Sequence, residues 1–411
     1  MHLTPRLLCI SNGHGEDTIA LRILMALRSR LPQLELAALP LVGEGTSFRK
    51  QEIPLIAATQ TLPSGGFIYM DGRQLARDLQ GGLVQLTRLQ LSALKTWGQE
   101  GGTVLAVGDL IPFLFAWWSR LPYALVGTAK SAYYLRDEQG QLPGLPWYTG
   151  WAGSIYLPWE RWLMTRDRCR AMVVRDELTA AELQQLGVAA VSTGNPMMDG
   201  LEPTEQFLHL KAATADTLTV LLLPGSRAPE AYENWQLMLP AVASVIQQFQ
   251  PRPVQFLGAI APALDLATFA QALQAADWQA DSTHPDDLSF LKETGRLTLT
   301  QTAYTDCLHL AEAAIAMAGT ATEQFVGLGK PAFILPGKGP QFNPVFAKLQ
   351  TRLLGCSVVL VEQPDSVGTS MEAVLGNTVR LAAIAQNGHR RLGDPGAAEA
   401  IADVLVERLI R

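Results

Sequence analysis

An apolar run from Ala313 to Ala318 passes without interruption into Gly319-Thr320-Ala321-Thr322-Glu323-Gln324, and no other stretch limits the possible folds as much. Such a run predicts a buried strand. Gly319 permits a tight turn, the small residues after it open a helix, and Pro331 closes that helix. Strand, loop and helix in this order leave backbone N–H groups at the positive end of a helix dipole, where phosphate oxygens bind. Glu323, in the first turn, either caps the helix or accepts hydrogen bonds from a pair of sugar hydroxyls. This stretch alone leaves both open.

The pattern recurs along the chain. Leu218 to Leu223 is a second continuous apolar run, ending in Pro224-Gly225-Ser226-Arg227 and followed by helical sequence from about Glu230 to Phe249. Pro253 to Leu257, Leu297 to Leu299, Ala332 to Leu335 and Val358 to Val361 supply further strands. Nearer the start, Leu7 to Ile10 runs into Ser11-Asn12-Gly13-His14-Gly15-Glu16-Asp17. Ile19, Ile23, Leu27 and Leu31 then recur at four-residue intervals until Pro32 stops the helix. Leu34 to Leu39, Val104 to Val107 ending in Gly108-Asp109, Ala124 to Val126, Met172 to Val174 and Val188 to Ser192 continue the series, with a helix from Glu177 to Leu186 before the last.

Short apolar runs alternating with helical stretches predict doubly wound parallel sheets. At 411 residues the chain exceeds one ordinary core. Thr193-Gly194-Asn195-Pro196 interrupts the alternation at mid-chain and places a boundary near residues 195 to 216. The expected fold is α/β, with two Rossmann-like doubly wound domains facing each other across a cleft. Residues 1–198 form the first domain and 199–411 the second, with the last helix free to pack back on the first.

Composition narrows the partners. A net charge of −6 with no long Lys/Arg block argues against nucleic acid. Cys9, Cys169, Cys307 and Cys356 lack CxxC spacing and read as buried thiols of a reducing compartment. The short apolar stretch Leu7 to Ile10 leads straight into Gly-His-Gly-Glu-Asp, unlike a signal peptide. The most apolar region, Leu105 to Val126, contains Asp109, Arg120 and two prolines, which argues against a spanning helix. A cytoplasmic location is expected.

Residues 117 to 162 hold six of the nine tryptophans, Trp117, Trp118, Trp147, Trp151, Trp159 and Trp162, together with Tyr148 and Tyr156. Arg161, Arg166, Arg168 and Arg170 accompany them. Rings beside arginines suit a membrane interface, so peripheral contact with the cytoplasmic face of a membrane through Trp147, Trp151, Trp159 and Trp162 is one expectation. The other is that the rings pack a core or line an acceptor cleft.

Ligands of open α/β sheets sit outside the carboxyl ends of the strands, where the loops named above lie. Gly225 and Ser226 offer backbone N–H groups to an anion, and Arg227 adds a fork able to hold phosphate bidentately. With Gly319, Thr320 and Thr322 they make a diphosphate clamp. Pro336 to Pro344 cannot continue a helix or strand; its amides Gln341 and Asn343 either bond sugar hydroxyls or belong to an ordinary polar loop. In the first half, His14 lies in a glycine-flanked loop and, neutral for much of the population near pH 7, can take a proton from a hydroxyl. Asp109, at another strand end, can hold its tautomer or be the base itself. Two readings compete with these: His14 binds substrate without titrating, or Glu16 and Asp17 merely cap the helix.

These residues resemble nucleotide-sugar glycosyltransferases of the two-Rossmann-domain (GT-B) type, and within that group lipid A disaccharide synthase. Leu222-Leu223-Pro224-Gly225-Ser226-Arg227 with Glu230 is similar to that family's donor-domain signature, Gly319 to Glu323 to its sugar-nucleotide loop, and Gly194 to Asp199 to its interdomain segment. The likeness runs from the first strand to about residue 360 and is specific in the second half. The first half departs: the family's Gly-Glu-Ala-Ser-Gly-Asp loop reads Asn12-Gly13-His14-Gly15-Glu16-Asp17 here, and of two aspartates in its second acidic loop only Asp109 has a counterpart, with Pro112 in place of the other. A histidine in the first loop is closer to enzymes that make lipid II or glycosylate small hydrophobic molecules with a His–Asp pair. The resemblance implies a divergent relative, not lipid A disaccharide synthase itself.

The implied activity is inverting transfer of a sugar from a UDP-sugar to a hydroxyl of a lipid or lipid-linked acceptor, with neither metal nor cofactor. The alternatives are a UDP-sugar epimerase of the same fold and a non-catalytic UDP-sugar or lipid-binding protein. The oligomeric state is not legible.

Overall fold

The computed structural model describes residues 5–57, 59, 82–144, 150–204, 214, 216–281, 288–339 and 341–410. Its first strand, β1 (Arg6–Ser11), carries Leu7, Leu8, Cys9 and Ile10, all fully buried. Leu8 and Ile10 join one hydrophobic cluster and Leu7 and Cys9 another, as the two-residue period of a strand requires when both faces of its sheet are covered. That double covering is why the strands read as unbroken apolar runs.

The chain continues through α1 (His14–Arg30), β2 (Glu35–Pro40), α2 (Thr46–Lys50), α3 (Leu83–Gln99), β3 (Thr103–Gly108), α4 (Leu110–Trp118) and β4 (Tyr123–Gly127). A small hairpin of β5 (Arg136–Asp137) and β6 (Gly140–Gln141) precedes α5 (Pro158–Met164), β7 (Cys169–Val174), α6 (Glu177–Gln185) and β8 (Ala190–Ser192). Six of these strands form a parallel sheet in the order β2-β1-β3-β4-β7-β8.

The second sheet is built from β9 (Leu218–Leu223), α7 (Glu230–Phe249), β10 (Val254–Ala259), α8 (Leu266–Ala275), β11 (Gln279–Ala280), β12 (Leu288–Lys292), β13 (Gly295–Thr300), α9 (Tyr304–Leu310) and β14 (Ala313–Ala316). It continues with α10 (Thr320–Gly327), β15 (Ala332–Ile334), α11 (Pro344–Leu354), β16 (Val358–Leu360), α12 (Val367–Leu375) and α13 (Thr378–Leu392). The strand order is β11-β12-β13-β10-β9-β14-β15-β16, antiparallel where β12 meets β11 and β13 and parallel elsewhere.

By density of contacts the chain divides into Met1–Asp199 with Asp394–Arg411, and Gly200–Gly393. The helix α14 (Ala397–Leu405), which runs on into a π-helical turn over Val406–Ile410, therefore belongs with the first sheet. Its Ile401, Ala402 and Leu405 are fully buried in the cluster that holds Leu7, Cys9 and Ile23. Asp199 fixes its start: the carboxylate accepts from the backbone N–H groups of Gly396 (2.6 Å), Ala397 (3.1 Å) and Ala398 (2.8 Å). A carboxylate suits the exposed N–H groups and dipole of a helix start. Among the described residues no helix is long and apolar enough to cross a membrane.

Candidate functional site

Each sheet has one place where successive crossovers part to opposite sides. From β1 the chain goes to β2 on one side and later to β3 on the other; from β9 it goes to β10 on one side and later to β14 on the other. The carboxyl ends of β1 with β3, and of β9 with β14, are thus topological switch points, the usual ligand sites of open α/β sheets.

At the second switch point three loops are tied to one helix. Asn234 of α7, 1% exposed, donates through Nδ2 to the carbonyl oxygens of Pro224 (3.0 Å) and Met317 (3.5 Å), joining the segments that follow β9 and β14. Glu230, at the start of α7, accepts from the backbone N–H groups of Gln341 (3.1 Å) and Phe342 (2.6 Å). Gly225 has φ of 108°, the left-handed region in which glycine is unstrained. A Cβ at Gly337 would lie 2.2 Å from the Phe342 carbonyl oxygen, so these loops pack too closely for a side chain there. Burial pushes the Arg227 guanidinium down from its ordinary value, against the opposing effect of Glu230.

The predicted donor residues lie around these loops. Ser226, Thr320 and Gln341 are exposed; Gly225, Arg227, Gly319, Glu323 and Asn343 are intermediate. Thr322 is buried, and its hydroxyl donates to the Ala318 carbonyl at 2.6 Å, so that hydroxyl stays within the protein. Gln350 donates to the same carbonyl at 2.9 Å. The Asn343 carboxamide oxygen accepts from the Phe346 N–H at 2.9 Å and caps α11, with Pro344 as the first helical residue. An Asn-Pro step is a helix-start signal that was available in the sequence. Asn234 carried no local signal.

At the first switch point, the loop after β1 meets the loop after β3. Gly13 has φ of 94°, and a Cβ there would lie 2.6 Å from the Val42 carbonyl oxygen. His14 is the first residue of α1; its imidazole lies outside the described structure. Asp109 precedes α4, and one of its carboxylate oxygens is buried with no hydrogen-bond partner. The two loops adjoin at Gly108, whose φ of 135° favours glycine: a Cβ on it would be in ordinary contact with Asn12 Cβ (3.5 Å) and Glu16 Cγ (3.7 Å).

Carboxyl groups crowd this end of the sheet. Asp17 accepts from the Ser11 hydroxyl at 2.5 Å, and burial pushes its pKa up to about 6. Glu16 is pushed up to about 7, first by burial and then by Asp109 and Asp17 nearby. Asp109 is raised by burial, pulled down by Lys130 and raised again by Glu160. Lys130 Nζ pairs with both oxygens of Glu160 (2.5 and 2.6 Å), whose side chain is fully buried.

Among the predicted aromatic residues, Trp147 lies outside the described residues. Trp151, Trp159 and Trp162 are exposed, joined by Trp118, with 43% to 66% of each residue accessible. The Arg166 guanidinium stacks on Trp162 with Cζ 4.5 Å from the ring centroid. Trp117 meets the same ring edge-on at 5.4 Å.

Comparisons agree with this architecture. No family model matches the chain. A lipid-A-disaccharide synthase of Syntrophus aciditrophicus (strain SB) is 27% identical over 236 residues, 53% of this chain, and the match spans 57% of that relative's length. Among solved structures, the calicheamicin glycosyltransferase CalG4 is similar with a TM-score of 0.60 at 13% identity, covering 100% of both chains. The UDP-GlcNAc 2-epimerase of Neisseria meningitidis, bound to UDP-GlcNAc, is similar with a TM-score of 0.56 at 13% identity, covering 98% of this chain and 100% of its own. With two Rossmann-like units, each carrying its loops at a switch point, the chain has the GT-B fold and is a divergent relative of the proteins that share it.

Proposed function

We propose that the protein is an inverting glycosyltransferase that moves a sugar from a UDP-sugar to a hydroxyl of a lipid or lipid-linked acceptor. The observation that carries this reading is the joining of the segments after β9 and β14 by Asn234, which sets Gly225, Ser226 and Arg227 beside the start of α10. Backbone N–H groups, a guanidinium and a helix dipole grouped in this way stabilise the diphosphate as it departs. Glu323 holds the ribose hydroxyls, and Gln341 and Asn343 contact the donor sugar. The unit of residues 200–393 takes the nucleotide-sugar, and the first unit takes the acceptor. There His14 with Asp109 removes the acceptor proton as the oxygen attacks the anomeric carbon. The match to a lipid-A-disaccharide synthase and the exposed tryptophans support a lipid acceptor and a peripheral membrane contact.

The test is UDP release from a panel of UDP-sugars, with and without a membrane lipid extract. Release only in the presence of lipid, with a heavier glycolipid by mass spectrometry, is expected, and Arg227→Ala or Glu323→Ala should weaken UDP binding in the folded protein. Conversion of a UDP-sugar without lipid would instead establish the epimerase reading, which the likeness to the Neisseria enzyme favours. UDP binding with no turnover under any condition would leave a non-catalytic binding protein.

A further inference from the structure

Three consecutive carbonyl groups just after β14 accept hydrogen bonds from side chains. Asn234 Nδ2 donates to the Met317 carbonyl at 3.5 Å, the Thr322 hydroxyl and Gln350 Nε2 donate to the Ala318 carbonyl at 2.6 and 2.9 Å, and Gln350 Nε2 lies 3.4 Å from the Gly319 carbonyl. The peptide bonds here are trans, and in a planar trans peptide the C=O and N–H point in opposite directions. The hold on the Ala318 and Gly319 carbonyls therefore turns the N–H groups of Gly319 and Thr320 away from Gln350. They face the open side of the loop, where Gly319 is intermediate in exposure and Thr320 is exposed. Gly319 precedes α10, whose first N–H groups have no partner within the helix. A hydrogen bond accepted by a carbonyl also polarises its peptide, which strengthens the N–H on the far side as a donor.

Gln350 is a polar residue in an apolar place. It shares the buried face of α11 with Ala347, Leu353 and Leu354, is 2% exposed, and its Oε1 is buried with no hydrogen-bond partner among the described residues. A buried acceptor left unpaired costs stability. The fold does not need the Nε2 donor to avoid further unpaired groups. Without it the Ala318 carbonyl still accepts from Thr322, and the Gly319 carbonyl from the Glu323 N–H at 3.2 Å. An apolar side chain of similar length would suit the fold at least as well, so what the amide supplies is its hold on the loop. We propose that Gln350 is a positioning residue for the nucleotide-sugar site: it aims the N–H groups of Gly319 and Thr320 at the diphosphate. It also couples two parts of that site, because α11 starts at Asn343, beside the proposed sugar contacts. The role rests on the donor site proposed above and not on the fate of the sugar, so it is the same for a transferase and an epimerase.

The test sets stability against binding. UDP is titrated by calorimetry into full-length wild type, Gln350→Met and Gln350→Leu, and the thermal midpoint of each is measured without ligand. The variants should bind UDP about five-fold more weakly, the worth of one hydrogen bond, while the midpoint stays at the wild-type value or rises. A residue that only packed would lower both together. Labelling with carbonyl-13C alanine and 15N-glycine singles out the amides of Gly153 and Gly319, the glycines that follow an alanine. In wild type UDP should shift the Gly319 amide and leave Gly153 in place, and at equal occupancy the Gly319 shift should be smaller in the variants. Two substitutions guard against poor packing of either side chain, and the variant that keeps its midpoint decides. Wild-type affinity in that variant, a lowered midpoint in both variants, or a Gly319 amide that does not respond to bound UDP in wild type would overturn the proposal. Wild type that binds no UDP would remove the donor site itself, and this role with it.

Discussion

A partly buried carboxyl group set among other carboxyls destabilises the fold when it ionises, and Glu16 is such a group. Its proton leaves near pH 7 in the folded chain, against an ordinary 4.5 in the unfolded one. Between these values the folded state keeps a proton that the unfolded state has released, so this group's contribution to stability falls as pH rises through the window. Below it nothing is lost; above it the full penalty, up to about 3 kcal/mol, applies. Glu16→Gln should therefore match wild type near pH 4 and exceed it by as much as about 3 kcal/mol near pH 8, read by urea unfolding across pH. None of this was legible locally. Glu16 and Asp17 sit in a first helical turn, where acidic residues are common, and only the pairing of β1 with β3 brings them near Asp109. The Lys130–Glu160 pair was hidden for the same reason, whereas the cap that Asn343 forms was legible in its Asn-Pro step.

The strands were legible because burial on both faces leaves few polar residues in them: Leu218 to Leu223, with only Thr219 polar, is the observed β9, and the helix Glu230–Phe249 has the bounds its sequence suggested. The antiparallel edge was not, since Leu288–Lys292 is short, half exposed and interrupted by Ser289. Position 199 shows a further limit. The segment Gly194 to Asp199 reads as an interdomain signature, yet its aspartate caps α14, a contact across some two hundred residues. Asp199→Ala removes three charge-assisted bonds at a helix start and should lower stability by roughly 1–2 kcal/mol. A fall in the thermal midpoint, together with faster proteolysis within residues 394–410, would check it. Asp199→Asn should recover part of the loss.

At the scale of the whole molecule, a net charge of −6 opposes any anionic surface, so the membrane contact proposed above would have to be local. Arg120 and Arg170 are exposed, and Arg166 lies on Trp162, within the same stretch as the exposed tryptophans. That combination allows rings to enter the headgroup region while guanidinium groups meet phosphate. Sedimentation with anionic vesicles should fall several-fold in a Trp151→Ser, Trp159→Ser double variant and weaken with salt, while the thermal midpoint stays close to wild type because both rings are more than half accessible. A vesicle-bound fraction unchanged by the two substitutions would remove the tryptophans from the membrane face. The return of α14 has a separate consequence, for the order in which the protein is made. Residues 200–393 form a compact unit whose two ends are both internal to the other, so this unit is complete on the ribosome before its host is. The cluster that joins Leu7 and Cys9 of β1 to Ile23 of α1 stays incomplete until Ile401, Ala402, Leu405 and Leu409 are synthesised. The first half of the chain, although it emerges first, therefore completes its core last.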